Sequence, residues 1–540
     1  MTQGQPTGLD RRGFLRAVGI TGGAGAMFAT MGAMGLAPTA EAAGRDSDFR
    51  APSAADFHLT GRAAGKVVVL GGGIAGLTTA YELGKAGYDC TILEPRDRPG
   101  GRNYTVRGGD SHTDLDGRTQ KARFSEGQYL NAGPARLAQW MVTLDYCREL
   151  GVPIEVFTNA NADAYIYHES AGMRPGNPMR YRTAKADTYG YVSELLAKAT
   201  DQGALDKELT ADDKERLLSF LEGFGEIGGR NEAWTYTGGA NRGYTTWPGA
   251  AGTPGTLLGG LPSASEVFAS GVGRHFAFEF EFDQAMLMFQ PVGGMDRIPK
   301  AFARAIGSHR FRYGCQATSL VQSARGVTVG YTDPHGRQRQ LEADYCVAAM
   351  PPHLLAKLTH NLGPDVQTAL TTIRPSSAGK IGLEYRSRWW ETDHRIYGGI
   401  TETDLDLSHI WYPSYGHHGE RGVVVGYYNT GANADAYAAL TPAEREARAV
   451  LQGVKIHGEK YRTELAHSFS IAWKRVRHLE GAWHSIPGGP DAAVYKPLNE
   501  PAGRVLFAGD WLSYMDAWQH GAILSARKAV TALHSRALKA

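Results

Sequence analysis

The sequence predicts an α/β fold that opens with a strand, a glycine-rich turn and a helix. Lys66–Leu70 is a continuous apolar run, which is typical of a buried parallel strand. Residues 71–76 follow with the spacing G-x-G-x-x-G and lead into a helical pattern. A second strand-like run, Asp89–Leu93, ends in Glu94. Together these observations predict a Rossmann-like βαβ unit.

This unit has the pattern of a dinucleotide-binding site. Gly71 permits the tight turn, Gly73 lets the backbone approach a pyrophosphate, and Gly76 lets the helix pack on the strand. Glu94 ends the next strand, where its carboxylate can accept hydrogen bonds from ribose hydroxyls. The alternative is a glycine-rich turn followed by an unrelated surface acid. The register of strand, glycines and acid favours the nucleotide site.

Composition narrows the possible partners. The 540 residues are 42% hydrophobic and can bury a large core, which favours more than one domain. Lys and Arg number 57 against 55 Asp and Glu, a net charge of +2, so no nucleic-acid partner is expected. An anionic ligand must then be held by individual arginines. The scattered cysteines are predicted to be buried thiols without a metal: Cys90, Cys147, Cys315 and Cys346.

Residues 1–42 have the parts of a twin-arginine export signal. Arg11 and Arg12 precede a Gly/Ala-rich stretch, and Ala40-Glu41-Ala42 suits cleavage after Ala42. A membrane anchor is the alternative, but this stretch lacks a long run of Leu, Ile or Val. We therefore expect a secreted or periplasmic bacterial protein that contacts no membrane after signal removal.

The rest of the chain alternates predicted helices and strands. Helical spacing covers Ala135–Leu150, Ala184–Gly225 and Gly521–Leu538, and the middle segment is predicted to be a helical insertion. Strand patterns cover Val327–Tyr331, Gln338–Val347 and Gly422–Tyr428. Between them, residues 230–273 are rich in Gly, Thr, Pro and Ser, which predicts a long loop.

A longer motif around Glu94 carries a family resemblance. Glu94, Arg96 and Gly100-Gly101-Arg102 together resemble the fingerprint of the flavin-containing amine oxidase superfamily, which includes monoamine, polyamine and L-amino acid oxidases. Residues 504–510, ending in Gly509-Asp510, resemble the strand that returns to the cofactor in that family. The resemblance implies FAD as the cofactor. The implied FAD-binding residues are Gly71, Gly73, Gly76, Glu94, Arg96, Gly101, Arg102, Gly133, Gly509 and Asp510.

The resemblance also implies a two-domain architecture of the glutathione-reductase type. Residues 60–125, 290–345 and 495–540 would form the FAD-binding domain. Residues 126–175 and 346–494 would form a substrate-binding domain built on a mixed β-sheet, with 176–289 as the helical insertion. That insertion and the loop after it would supply the wall of the substrate pocket, with these candidates: Phe220, Phe224, Glu226, Arg230, Trp234 and Tyr236.

Two lysines compete for the position beside the flavin. Lys357 follows Pro352 by five residues, and the family's lysine at this spacing holds a water against flavin N5. We therefore predict Lys357 as the catalytic lysine, with a surface lysine as the alternative. Lys380 lies in a strand-like alternation and is predicted to be structural.

Two residues resemble the carboxylate-binding pair of L-amino acid oxidases. Arg136 follows Gly133-Pro134-Ala135, where that group has its carboxylate-binding arginine. Arginine presents a planar pair of donors that matches a carboxylate, and a simple amine oxidase has no use for it. Tyr412, before Pro413, is predicted to donate its hydroxyl to the same carboxylate. A structural ion pair and a core tyrosine are the respective alternatives.

Two tryptophans are predicted to form the walls at the reacting end. Trp518 lies in the segment that resembles one wall of the family's aromatic cage, and Trp483 would supply the facing wall. Both would contact substrate and exclude water during catalysis. Ala482 stands where monoamine oxidases carry the cysteine that links the flavin, so the FAD is predicted to be non-covalent.

The predicted reaction is oxidative deamination of L-amino acids. Hydride passes from the α-carbon to flavin N5, and the products are a 2-oxo acid, ammonia and, from oxygen, hydrogen peroxide. An amine or polyamine oxidase, an amino acid 2-monooxygenase and a non-catalytic flavin-binding protein stay open as alternatives. The preferred side chain and a homo-oligomeric assembly are also left open.

Overall fold

A five-stranded parallel sheet organises the first half of the fold in the computed structural model, which describes residues 57–485, 488–489 and 492–539. Its central strand is the predicted Lys66–Leu70, whose last four residues are at most 1% exposed. The neighbouring strands confirm the predicted βαβ unit. In sheet order the strands are Phe311–Tyr313, Asp89–Glu94, Lys66–Leu70, Tyr345–Ala348 and Val505–Phe507.

Each face of this sheet is covered. Apolar side chains of helices Ile74–Lys85, Arg297–Ile306 and Gln519–Ala537 pack on one face, because their buried positions recur at helical spacing. Helix Pro364–Thr372 and a four-stranded sheet cover the other face. The strands of that second sheet are Gln338–Ala343, Val327–Thr332, Gln316–Gln322 and Thr359–His360.

A seven-stranded mixed sheet forms the second half. Most neighbours are antiparallel, but Ile400–Thr403 pairs in parallel with Tyr165–Tyr167. One face packs against helix Pro442–His457, and the other carries residues that line the cavity described below. Its strands in order are Leu465–Ala472, Ala378–Tyr385, Gly422–Thr430, His409–Trp411, Ile400–Thr403, Tyr165–Tyr167 and Met179–Arg180.

Short strand pairs and helices complete the described chain. The pairs are Thr105–Arg107 with Tyr129–Asn131, Ser111–Thr113 with Thr119–Lys121, Ile154–Thr158 with Leu287–Pro291, Tyr244–Thr246 with Thr256–Leu257, and Arg374–Pro375 with His484–Ser485. The other α-helices are Val142–Glu149, Tyr181–Asp201, Ala211–Gly225, Ala264–Ala269, Pro352–Leu355, Trp389–Thr392, Gly431–Ala439, Lys460–Thr463 and Lys496–Asn499.

The helix predicted over Ala135–Leu150 is shorter than expected. It spans only Val142–Glu149. Residues 135–141 are not helical: Leu137 exchanges two backbone hydrogen bonds with Phe289, at 2.8 and 2.9 Å, and a turn at residues 139–140 leads into the helix. Tertiary pairing therefore overrides the helical pattern at the segment that carries Arg136.

The helical insertion is confirmed in its helical part. Helices Tyr181–Asp201 and Ala211–Gly225 pack on each other through a small apolar cluster. The glycine-rich stretch after them is mostly loop, held by Arg242, which donates to both oxygens of buried Asp187.

Other predictions have separate outcomes. The four cysteines are free and buried, as expected. The predicted signal segment, residues 1–42, lies outside the described residues. None of the helices that the structure describes has the length and apolar character needed to span a bilayer. The domain boundaries stay a prediction.

Candidate active site

A cavity of about 670 Å³ lies at the carboxyl ends of the parallel strands and extends to the mixed sheet. Ligands of open parallel sheets bind at this edge. All but one of the predicted FAD-binding residues line the cavity, namely Gly71, Gly73, Glu94, Arg96, Gly101, Arg102, Gly133, Gly509 and Asp510. Gly76 lies one helical turn behind it.

The glycines of the first turn have the predicted geometry. Gly71 has φ +105°, and a Cβ there would lie 2.6 Å from the carbonyl oxygen of Ala349. A Cβ at Gly76 would lie 2.0 Å from the oxygen of Gly71, so helix and strand could not pack as closely. A Cβ at Gly73 would meet nothing nearer than the Cα of Gly101, at 4.0 Å, so the backbone there is open on the cavity side. No side chain caps the helix that follows it, so its first N–H groups can meet a phosphate.

Glu94 is fixed at the end of its strand. Its two carboxylate oxygens accept hydrogen bonds from the backbone N–H of Gly72 at 2.8 Å and of Arg96 at 3.1 Å. The Nε of Arg96 donates to one of them at 3.2 Å. A carboxylate offers about four acceptor positions, so Glu94 keeps capacity for a ribose hydroxyl.

Arg102 and Asp510 connect two walls of the cavity. The guanidinium of Arg102 pairs with the Asp510 carboxylate and also donates to the backbone oxygen of Ala482. Burial opposes ionisation of Asp510, but Arg102 and His484 together hold its pKa below the usual value. Asp510, which is predicted to contact the cofactor, is therefore an ionised carboxylate already paired with Arg102, another predicted FAD-binding residue.

At the far end of the cavity, Arg136 stacks on Trp411. The guanidinium carbon lies 4.5 Å from the centre of the indole ring, a cation–π contact. Burial lowers the pKa of Arg136 to about 10, with partial compensation from Tyr428, Glu402 and Asp283. Arg136 therefore stays a cation at neutral pH, and the structure brings it into the cavity as predicted.

Lys380 is buried beside Arg136. Its Nζ donates to the backbone oxygen of Gly133 at 2.5 Å and lies 4.9 Å from the Trp411 ring and 4.8 Å from the Tyr428 ring. Burial, with a contribution from Arg136, lowers the pKa of Lys380 to about 7. In the described part of the chain no carboxylate pairs with it. Its hydrogen bonds to the backbone oxygens of Asn131 and Gly133 are compatible with the predicted structural role, and its side chain also lines the cavity.

Lys357 has a different environment. It also lines the cavity, but its side chain is 63% exposed and forms an ion pair with Glu480 at 3.1 Å. The prediction that Lys357 acts beside the flavin stays a prediction. The buried lysine at the end that carries Arg136 is Lys380.

The predicted pairing of Arg136 with Tyr412 is wrong. Tyr412 is 1% exposed, and its hydroxyl is hydrogen-bonded to Thr401 at 2.7 Å and to His457 at 2.8 Å, within the core behind the sheet. Neighbouring residues of an extended chain point to opposite faces, so Trp411 faces the cavity and Tyr412 cannot. The sequence shows that Trp411 and Tyr412 point to opposite faces, but not which of the two faces the cavity.

The two predicted tryptophan walls both line the cavity. Trp518 is held by a hydrogen bond from its Nε1 to Asp283 at 3.0 Å. Trp483 is partly exposed and follows Ala482, which is buried. The sequence reasoning missed Trp411, Tyr428 and Gln519, which also line this end. Trp411 and Tyr428 lie on cross-strand neighbours, a proximity that no local motif encodes.

The helical insertion contributes little to this wall. Among the described residues of 176–289, Gln284 is the one that lines the cavity. None of the six predicted pocket-wall candidates between Phe220 and Tyr236 reaches it. Trp234 and Tyr236 instead belong to the apolar core of the insertion, and Phe220 and Phe224 are exposed.

The glycine turn, Glu94 and the long cavity define a dinucleotide-binding protein. The chain belongs to the flavin containing amine oxidoreductase family, which matches residues 74–534. It is 25% identical over 474 residues to the putative L-amino-acid oxidase YobN of Bacillus subtilis (strain 168), covering 85% of this chain and 92% of that protein. It is 26% identical over 474 residues to the L-amino-acid oxidase of Vipera ammodytes ammodytes, covering 85% and 90%.

Solved amine oxidase structures share the fold. Cyclohexylamine oxidase from Brevibacterium oxydans IH-35A superposes with a TM-score of 0.58 at 18% identity, over 88% of this chain and 100% of the other. Putrescine oxidase bound to putrescine superposes with a TM-score of 0.55 at 17% identity, over 88% and 99%. At these identities the likeness establishes the mixed α/β fold alone.

The residues present fit the family's flavin in its dinucleotide form. The open backbone at Gly73 and the uncapped helix behind it suit a pyrophosphate, and Glu94 suits a ribose. Arg102 adds a cation between them and the reacting end. The cavity continues from these groups to Arg136, which leaves room for the ring system and a substrate.

Proposed function

We propose that this protein is an FAD-dependent L-amino acid oxidase. The observation that carries the proposal is the Arg136 guanidinium, which is set in the wall of the flavin cavity and stacked on Trp411. A buried arginine at the substrate end matches the one group that distinguishes an amino acid from an amine, its α-carboxylate.

The charges around the cavity favour the same substrate class. Three carboxylates line it, Glu94, Glu480 and Asp510, and each is paired with a basic side chain. At the reacting end Arg136 is a cation whose ionisation is favoured by Glu402 and Asp283, and Lys380 beside it has a pKa lowered to about 7. A simple amine would bring a further cation to that end, whereas the carboxylate of an amino acid would neutralise one.

Trp411 supplies a second contact for the carboxylate in this proposal. Its side chain is 5% exposed, lines the cavity, and has an indole N–H without a hydrogen-bond partner among the described residues. An indole nitrogen can only donate. It would therefore donate to the carboxylate beside Arg136, in the role that the sequence reasoning gave to Tyr412.

The bound FAD supplies the acceptor for the hydride of the Cα–H bond and passes the electrons on to oxygen. The side chains of the protein bind the substrate, orient it and accept its proton. Arg136 and Trp411 fix the carboxylate, which orients the α-carbon. Trp483 and Trp518 line the same end and limit access of water.

In this proposal Lys380 accepts a proton from the substrate. The α-amino group must lose a proton before its lone pair can assist hydride departure, and a base with a pKa near the working pH serves best. Burial lowers the pKa of Lys380 to about 7. Lys380, and not the exposed Lys357, is therefore our candidate to accept that proton at its Nζ.

The products decide between this proposal and its alternatives. Purified holoprotein is incubated with pooled L-amino acids, and separately with the corresponding decarboxylated amines, and hydrogen peroxide, ammonia and amides are measured. Peroxide and ammonia in equal amounts from amino acids support the oxidase. Amide and carbon dioxide indicate a 2-monooxygenase, turnover of amines alone indicates an amine oxidase, and no turnover indicates a flavin-binding protein without catalysis. Export through the twin-arginine signal is part of the same proposal.

A further inference from the structure

Gln519 has a buried side chain whose polar atoms make no hydrogen bond to the residues that the structure describes. It is 4% exposed and lines the cavity as the first residue of helix Gln519–Ala537. Neither the amide nitrogen nor the carbonyl oxygen of its side chain has a hydrogen-bond partner among the described residues. A glutamine offers two donors and an acceptor with two lone pairs, so leaving all of them unpaired is costly unless a ligand satisfies them.

In the described part of the chain, no N-cap side chain satisfies the first turn of this helix. Trp518 occupies the N-cap of the helix and makes no capping hydrogen bond with its side chain. The first turn of a helix carries free N–H groups and partial positive charge. The N-terminus of this helix and the carboxamide of Gln519 therefore present hydrogen-bond donors and an acceptor at one place in the cavity wall.

The rest of the cavity identifies which part of a flavin would lie there. The phosphates and a ribose are accounted for at the other end, by the turn at Gly73 and by Glu94. Gln519 directly follows Trp518, in the part of the wall that also carries Arg136 and Lys380. That is the end where the ring system must lie if it is to meet a substrate.

We infer that the carboxamide of Gln519 hydrogen-bonds the pyrimidine edge of the flavin ring. This edge alternates carbonyl groups with an N–H, so an amide N–H can donate to a carbonyl while the amide oxygen accepts from the ring N–H. Such a donor also stabilises the reduced flavin, because reduction adds electron density to this edge. The inference depends on the family's flavin and not on the proposed substrate.

The test measures the flavin itself, in holoprotein and without substrate. Gln519→Met keeps the length of the side chain and removes the hydrogen bonds. We expect the rate of FAD release, followed by flavin fluorescence after dilution, to rise about tenfold. We also expect the two-electron midpoint potential to fall and the flavin absorbance bands to shift.

Gln290→Met is the matched control. Gln290 is also buried, at 2% exposed, but it donates to Glu155 and does not line the cavity. Gln290→Met should change the free energy of unfolding but leave the flavin midpoint potential and the rate of FAD release unchanged. A purely structural role for Gln519 predicts that both variants leave the potential at the parent value.

Gln519→Glu keeps the inference testable if the methionine variant does not fold. It preserves the shape but replaces the donor with a negative charge, so its potential should fall below that of the parent and of any folded Gln519→Met protein. A folded variant at position 519 with the parent's release rate, potential and absorbance would overturn the inference. It would then follow that the carboxamide is satisfied by water. Activity on amines alone would refute the proposed substrate and leave this result unaffected.

Discussion

The guanidinium carbon of Arg136 lies 4.5 Å from the centre of the Trp411 ring, in the wall of the cavity that fits a flavin. Lys380 lies 4.9 Å from the same ring. Both basic groups thus lie within 5 Å of the same indole. Arg136 is a cation at neutral pH, whereas burial lowers the pKa of Lys380 to about 7. In our proposal Arg136 binds the substrate carboxylate and Lys380 accepts a proton.

The cofactor should be released without breaking a bond. Ala482 has no thiol where a covalent link would form, and it is buried in the cavity wall. Acid or heat precipitation of the yellow protein should therefore leave FAD in the supernatant. Absorbance of pellet and supernatant checks this, and flavin that stays with the precipitated polypeptide would contradict it.

Tyr412 and Trp411 should have separable roles. Tyr412→Phe removes a hydroxyl that is bonded to Thr401 and His457 in the core, so the free energy of unfolding should fall by about 1–3 kcal/mol while steady-state kinetics stay unchanged. Denaturant unfolding and peroxide assays on the same preparation measure both quantities.

Trp411→Phe keeps the ring under Arg136 but removes the N–H donor. KM for L-amino acids should rise by about 10- to 150-fold, because a hydrogen bond to a charged group contributes about 1.5–3 kcal/mol. A kinetic defect in Tyr412→Phe that exceeds the one in Trp411→Phe would restore the original assignment of Tyr412.

The two lysines should differ in their pH dependence. Because the pKa of Lys380 is lowered to about 7, its amine is mostly protonated below that pH and neutral above it. If the neutral amine accepts a proton from the substrate, anaerobic flavin reduction should accelerate as the pH rises through about 7. Lys380→Met should slow reduction and remove this ionisation from the profile.

Lys357→Met is the control for that measurement. Lys357 is largely exposed and paired with Glu480, so its loss should leave the ionisation near pH 7 in place. Stopped-flow measurement of both half-reactions separates the possibilities. If Lys357→Met instead slows reoxidation by oxygen far more than Lys380→Met slows reduction, the catalytic lysine is Lys357, as the sequence predicts, and not Lys380.

Local motifs made the nucleotide end of the site predictable from the sequence. Gly71, Gly73, Glu94 and Arg102 lie within one βαβ unit and the loop after it, so their spacing along the chain fixes their positions in space. The strands and the paired helices of the insertion followed from periodicity in the same way.

The reacting end depends on pairing between distant segments. Lys380, Trp411 and Tyr428 come together because their strands are neighbours in the mixed sheet. The choice between Trp411 and Tyr412 rests on which face of the chain is buried. Residues 135–141 lose their helical pattern to a bridge with Phe289 for a similar reason. Spacing after Pro352 could not reveal that Lys357 is exposed.

The most direct test of the central claim is the specificity of Arg136→Met. Parent and variant holoproteins are compared by kcat/KM on an L-amino acid and on the amine formed by its decarboxylation, with the exposed surface variant Arg148→Met as the control. Losing a desolvated charged hydrogen bond costs about 2–5 kcal/mol, so kcat/KM of the variant should fall by about 30- to 5,000-fold on the amino acid and stay unchanged on the amine. Equal kcat/KM values for parent and variant on the amino acid would contradict the account.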